Sequence, residues 1–213
     1  MCGRSQFRKV PEIIEEFGPA RVGDVPGGRG VSPRSRRREP LGNAAIAEEA
    51  FPKSIVPGLV LHKGERVVSS FSWAFFGDGT GHNARVETAA DRPAWRDAFA
   101  SARVVLPLVR FVEGRAWFAE AAGRTLAVAG LYRLGALPGG GPPRRATMLT
   151  RPANDVVAPF HERMPVILTP DLIAPWLAGD PVSMDRLVAE APVLLAEPLS
   201  RPGPEQPSLL DGL

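Results

Sequence analysis

Cysteine is almost absent from this chain, which carries a single one, Cys2, in 213 residues. An internal disulfide is therefore excluded. Three histidines, His62, His82 and His161, are scattered too widely to give the paired ligand spacings of a zinc site. Neither a structural metal nor a cofactor is expected. Long apolar runs are missing as well, and nothing approaches the roughly eighteen consecutive apolar residues of a membrane-spanning helix. The opening Met1-Cys2-Gly3-Arg4-Ser5-Gln6-Phe7-Arg8-Lys9 lacks the apolar centre of a signal peptide. A cytoplasmic protein is the simplest reading.

What the chain does have is ordinary in bulk. A length of 213 residues suits one large domain or two small ones, and 44% apolar and 23% charged residues are typical of a globular protein. The net charge is only +3, but its placement is uneven. Residues 29–40 hold five arginines (Arg29, Arg34, Arg36, Arg37, Arg38) against one acid, Glu39, a surplus larger than that of the whole chain. Such a Gly/Pro/Ser-rich segment reads as a solvated loop. It also supplies salt-sensitive affinity for phosphates, and the two readings are compatible.

Apolar runs and punctuation give a coarse map. After a short extended start, Pro11 to Phe17 reads as a helix with proline in its first turn and Gly18 as its stop. Residues 27–43 read as a flexible loop. Ser54-Ile55-Val56, Leu59-Val60-Leu61 and residues 67–73 read as strands, followed by a helix over 91–99 capped by Asp91. Residues 103–112, 115–119, 125–132, 146–150 and 166–169 read as further strands, with a helical turn over 154–161 and helices over 171–178 and 184–190. The tail 198–213 is Pro-rich and expected to be disordered. The pattern predicts an α+β fold: a single compact domain over 1–197 with a mainly antiparallel, strand-rich core and peripheral helices.

Four places carry residues suited to chemistry. Removal of Met1 would leave Cys2 with a free α-amine and a thiol on one residue. The amine has a reference pKa near ~8, so part of it is unprotonated at neutral pH. Such a pair condenses with an aldehyde to a Schiff base that the thiol closes to a thiazolidine, or the thiol alone attacks an acyl group. The bland alternative is a small residue that happens to follow Met1. Asn83-Ala84-Arg85-Val86-Glu87 offers an amide and a phosphate-gripping guanidinium, or is simply a solvated turn. Glu113 ends the apolar run 104–112, where partial burial would raise its pKa toward that of a general acid or base; most acids at strand ends are merely solvated. His161 can shuttle protons near neutral pH, or be a loop histidine with no task.

Taken together, and in this order, these motifs resemble a known family. Met1-Cys2-Gly3-Arg4 is followed by Asn83-Ala84-Arg85-x-Glu87, by Arg103-x-x-Leu106-Pro107 with Glu113 downstream, by Ala129-Gly130-Leu131-Tyr132, by Thr150-x-Pro152-Ala153-Asn154, and by His161-x-Arg163-Met164-Pro165. This pattern is similar to the SOS-response-associated peptidase family, whose members crosslink to abasic sites, and it runs to about Leu168. The resemblance implies a compact α+β domain with a groove for single-stranded DNA, and a nucleoid-associated protein acting in the DNA damage response. It implies catalytic roles for Cys2, Asn83, Glu113 and His161: Cys2 attacks the ring-opened sugar, Glu113 and His161 move protons, and Asn83 orients Cys2 or the sugar. Arg4, Arg85 and Arg163 would hold phosphates and Trp73 would offer a stacking face.

The chain departs from the family in places that face the DNA. Gly114 stands where an aromatic usually follows the glutamate, and Ala74-Phe75-Phe76-Gly77 follows Trp73 where Gly-Leu-Ile-Pro is common. The tail segment Gln206-Pro207-Ser208-Leu209-Leu210 is similar to a sliding-clamp docking peptide, with Gln206, Leu209 and Leu210 as its anchors. The other readings are an N-terminal-cysteine amide hydrolase or self-processing peptidase, an abasic-site lyase, and a non-catalytic single-stranded-DNA-binding module. A monomer is the default.

Overall fold

Strand β6 (Arg103–Glu113) organises the molecule, because its alternating side chains enter two different apolar clusters. Val104, Leu106 and Leu108 point into one and Val105 into the other. A strand covered on both faces reads as one unbroken apolar run, which explains the sequence pattern over 104–108. In this computed structural model the described residues are 3–23, 49–138, 140, 142–189 and 192–199. The loop expected over 27–43, Cys2, and the tail with Gln206, Leu209 and Leu210 lie outside them.

The chain runs β1 (Ser5–Phe7), α1 (Val10–Phe17), β2 (Arg21–Val22), β3 (Ile55–His62), β4 (Glu65–Trp73), β5 (Asn83–Arg85), α2 (Val86–Ala89), α3 (Arg96–Ser101) and β6. It continues with β7 (Ala116–Glu120), β8 (Leu126–Leu134), β9 (Arg144–Pro152), β10 (Arg163–Pro165), α4 (Pro170–Ala178), α5 (Met184–Ala189) and β11 (Leu194–Pro198). The strands join in one sheet, ordered β10-β9-β4-β3-β6-β7-β11 along its main path. Pairing is mainly antiparallel, with parallel contacts at β2–β4, β4–β9 and β5–β9. The fold is thus a single α+β domain with a strand-rich core and peripheral helices, and among the described residues no helix is long and apolar enough to cross a membrane.

The sheet curls around the first cluster, where Phe7, Phe71, Trp73, Phe111 and Phe118 meet. The helices cover the second: Ile13 from α1, Val86 from α2, Leu172 and Trp176 from α4, and Leu187 from α5. Trp176 is fully buried and its indole N–H donates to the Val104 carbonyl at 3.1 Å, tying α4 to β6.

Several expected elements shift for identifiable reasons. Pro57 and Gly58 do not break β3 in two; a Cβ at Gly58 would lie 2.7 Å from Val104 Cγ2 and 2.8 Å from Phe71 Cε2, so glycine is what lets the strand pass this crowded point. Asn83–Arg85 is a strand, not a solvated turn, because it pairs in parallel with Met148 to Thr150 of β9. The helix expected over 91–99 starts only at Arg96, without a side-chain cap from Asp91. The strand expected over 166–169 is instead β10, three residues earlier, leaving Ile167 only an isolated bridge to Val128. The segment before the tail adds β11 to the sheet edge, where it pairs with β7.

Candidate functional site

Antiparallel pairing brings one end of β6 and the start of the described chain together. Ser5 sits opposite Phe111, and the Val112 N–H donates to the Arg4 carbonyl at 2.9 Å. Beyond Val112 comes Glu113, the last residue of β6, and then the tight turn at Gly114 into β7. Glu113 is 1% exposed. Burial pushes its carboxyl above the ordinary range, against the opposing pull of His161.

His161 reaches this carboxylate from the segment between β9 and β10. A hydrogen-bonded turn, in which Val157 and Ala158 N–H donate to the Asn154 carbonyl, carries the chain from β9 to β10. At its end His161 Nδ1 lies 3.4 Å from Glu113 Oε2. The same nitrogen is 3.0 Å from the Arg163 amide N–H and 3.1 Å from the Arg163 carbonyl. Nδ1 therefore faces one donor and two acceptors. Deprotonated, it accepts from the Arg163 N–H; protonated, it donates toward Glu113 or the carbonyl. Both states have a partner, which is the requirement for a group that gives and takes a proton.

Arg163 anchors the pair. Its Nη1 and Nη2 donate to the two oxygens of Glu87 at 2.6 and 2.8 Å, and Nη2 also reaches the Thr150 carbonyl at 2.6 Å. Burial alone would raise the Glu87 pKa, but the Arg163 hydrogen bonds and charge outweigh it and hold that carboxyl below its ordinary range. These donors are engaged inside the fold, so Arg163 fixes β10 and the His161 turn instead of presenting a fork to solvent. Arg85, opposite Thr150 on β5, is the exposed guanidinium of this region. Asn83 is half-buried on the same strand, across from Met148. Arg4 is half-exposed; its Nε donates to Glu49 Oε2 at 2.8 Å and its guanidinium lies 5.0 Å from the Trp117 ring centroid.

Trp73 corrects an expectation. It is fully buried, its indole N–H donates to the His82 carbonyl at 3.0 Å, and Phe7 packs edge-on against it at 6.0 Å. A side chain on the closed face of a central strand has no open face for a base. Sequence reasoning also missed Thr150, the backbone partner of Arg163, and Phe160, a large exposed ring beside His161. The Thr-x-Pro-Ala-Asn motif carried the signal for Thr150; nothing in the sequence marked Phe160.

The described part of the site thus brings Glu113 and His161 into contact and sets Asn83, Arg85 and Arg163 around β9. Among the described residues no group of three or more His, Cys, Asp or Glu is arranged to hold a metal ion. The family model for SOS response associated peptidase (SRAP) matches residues 1–200. Abasic site processing protein YoqW of Bacillus subtilis (strain 168) is 32% identical over 104 residues, which is 45% of this chain and 46% of YoqW. Abasic site processing protein YoaM of the same organism is 32% identical over 114 residues, 49% of this chain and 50% of YoaM. The chain spans about half the length of the curated relatives it matches. A solved structure from Bordetella bronchiseptica has a TM-score of 0.68 at 20% identity, over 94% of this chain and all of that one. One from Bacteroides thetaiotaomicron gives 0.58 at 16% identity, over 72% and 78%. These two likenesses are of fold.

Proposed function

The chain belongs to the SOS response associated peptidase family, and from that premise we propose that it processes abasic sites in single-stranded DNA by bonding to them through Cys2. The observation that carries the reading is the buried Glu113 carboxyl facing His161 Nδ1 at 3.4 Å. This pair stands at the end of β6 where the Val112 N–H donates to the Arg4 carbonyl. The names of YoqW and YoaM support the same substrate.

The chemistry is a condensation. With Met1 removed, the Cys2 amine adds to the aldehyde carbon of the ring-opened sugar. The carbinolamine loses water to an imine, and Cys2 Sγ then adds to the imine carbon while the nitrogen takes up a proton. One water leaves overall, and the product is a thiazolidine. Burial raises the Glu113 pKa, which favours the protonated form and suits this carboxyl to donate to the departing oxygen. His161 relays protons between Glu113 and the sugar, and Asn83 orients the reacting groups. Arg85 holds a flanking phosphate, and sequence is not read because the lesion has no base to read. Arg163 acts through His161 by fixing its turn.

The test is intact-protein mass spectrometry of Met1-processed protein incubated with a single-stranded oligonucleotide bearing one abasic site. The expected product is a heat-stable adduct weighing protein plus DNA minus one water, absent with Cys2→Ser. No adduct, with Met1 confirmed absent, would sink the proposal. The family's name also supports an N-terminal-cysteine hydrolase. Arg85→Glu separates the two readings, because it should cripple crosslinking yet leave amide hydrolysis intact.

A further inference from the structure

Phe160 sits directly before His161 and is 38% exposed, although its ring is large and apolar. Isolated exposed rings are common and need no explanation; this one is held in place. Its ring meets Phe118 at 5.4 Å and 79°, and Phe118 stacks on Phe111 at 5.3 Å and 23°. Its amide N–H donates to the Val157 carbonyl at 2.8 Å. The second anchor is Gly114, which directly follows Glu113 and has φ +58°. A Cβ there would lie 2.6 Å from the Phe160 carbonyl oxygen and 3.3 Å from Phe160 Cβ. Only a residue without a side chain lets the turn over 155–161 close down on the Glu113 end of β6. Phe160 thus precedes His161 in the chain and lies against Gly114, the residue after Glu113, anchored on the core and still open to solvent.

We propose that Phe160 is a base-stacking platform of the site, taking the nucleobase next to the lesion while His161 reaches the baseless sugar. This inference rests on the abasic-site reading above. A nucleotide without a base has no π-face, so its position along the strand has to be set by its neighbours. Stacking suits that task because every base has a π-face, and the platform stays indifferent to sequence.

The probe is a single-stranded oligonucleotide with one tetrahydrofuran abasic analogue, which has no aldehyde to react. It carries 2-aminopurine immediately 5′ or, in a second oligonucleotide, immediately 3′ of the analogue. Wild-type protein and Phe160→Tyr should quench the 2-aminopurine at one of the two positions. Phe160→Leu, which keeps apolar packing on Phe118, should lose the quenching and bind about tenfold more weakly. On a third oligonucleotide, with tetrahydrofuran at both flanking positions as well, all three proteins should bind alike. Wild type alone supplies a check that needs no variant: it should prefer a base-flanked analogue to the triple analogue by about tenfold. Quenching at neither position, or equal affinity of wild type for both kinds of site, overturns the inference. If the Cys2-dependent adduct on true abasic DNA still forms while Phe160→Leu changes nothing, the inference alone fails. If wild type forms no adduct at all, the underlying reading fails with it.

Discussion

Glu113 and Glu87 each face the short segment that carries His161 and Arg163, and the two pairs are built oppositely. Glu113 is buried against an imidazole, and burial raises its pKa. Glu87 is partly exposed against a guanidinium, and the bidentate bonds from Arg163 hold its pKa down in spite of burial. The decisive difference is the partner. A guanidinium is always charged and offers a fixed fork, so it locks the carboxylate as an anion. An imidazole can itself give up its proton, so the same segment leaves Glu113 able to carry one. One pair fixes the turn, and under the proposed function the other carries the proton chemistry at its end.

That division can be broken from either side. The largest expected effect is on rate. Glu113→Gln keeps the shape but cannot transfer a proton, and should slow adduct formation by about a hundredfold or more, measured as single-turnover crosslinking at saturating DNA. Glu87→Gln should leave that rate within a few-fold. A comparable rate loss in both variants would mean that the two glutamates do not divide the work this way. Next in size is stability. Arg163→Ala removes both bonds to Glu87 and the bond to the Thr150 carbonyl, and should cost about 3 kcal/mol. That corresponds to a Tm lowered by roughly 10 °C in thermal denaturation.

The smallest effect is the most discriminating, because the two carboxyls should give pH slopes of opposite sign. The folded pKa of Glu113 lies above its ordinary value of 4.5. Its contribution to stability is therefore full below that value and is lost as pH rises through the folded pKa. Relative to wild type, Glu113→Gln should gain stability as pH rises from 4 to 8. Glu87 is shifted the other way. Its contribution, about 1 kcal/mol for a partly exposed pair, is present above about 4.5 and lost as pH falls through the folded pKa. Glu87→Gln should therefore fall further behind wild type as pH rises from acid. Melting curves of the three proteins across that range decide it; parallel curves would show that neither shift exists.

Much of the fold was legible where a local rule and the tertiary environment agree. Pro11 and Gly18 bracket α1, and the apolar runs mark β4, β6, β7 and β8. The misreadings fall where a distant neighbour overrides the local rule. Gly58 looks like a strand breaker until Val104 and Phe71 are seen pressing on it. Asn83–Arg85 looks like a turn until β9 pairs with it. β11 carries no strand signal in the sequence until β7 supplies its ladder.

The sequence by itself determined which chemical groups are present and in what order: a second-position thiol, a carboxyl closing an apolar strand, and a histidine two residues before an arginine. Residue types and spacings suffice for that, and they suffice for recognising the family. Only the tertiary structure decided what each group is free to do. Pairing of β1 with β6 and of β10 with β9 brings Glu113 to His161, commits Arg163 to Glu87, closes Trp73 into the core and leaves Phe160 open over Gly114. Burial, charge compensation and steric access belong to contacts between residues far apart in the chain, and no local pattern encodes them.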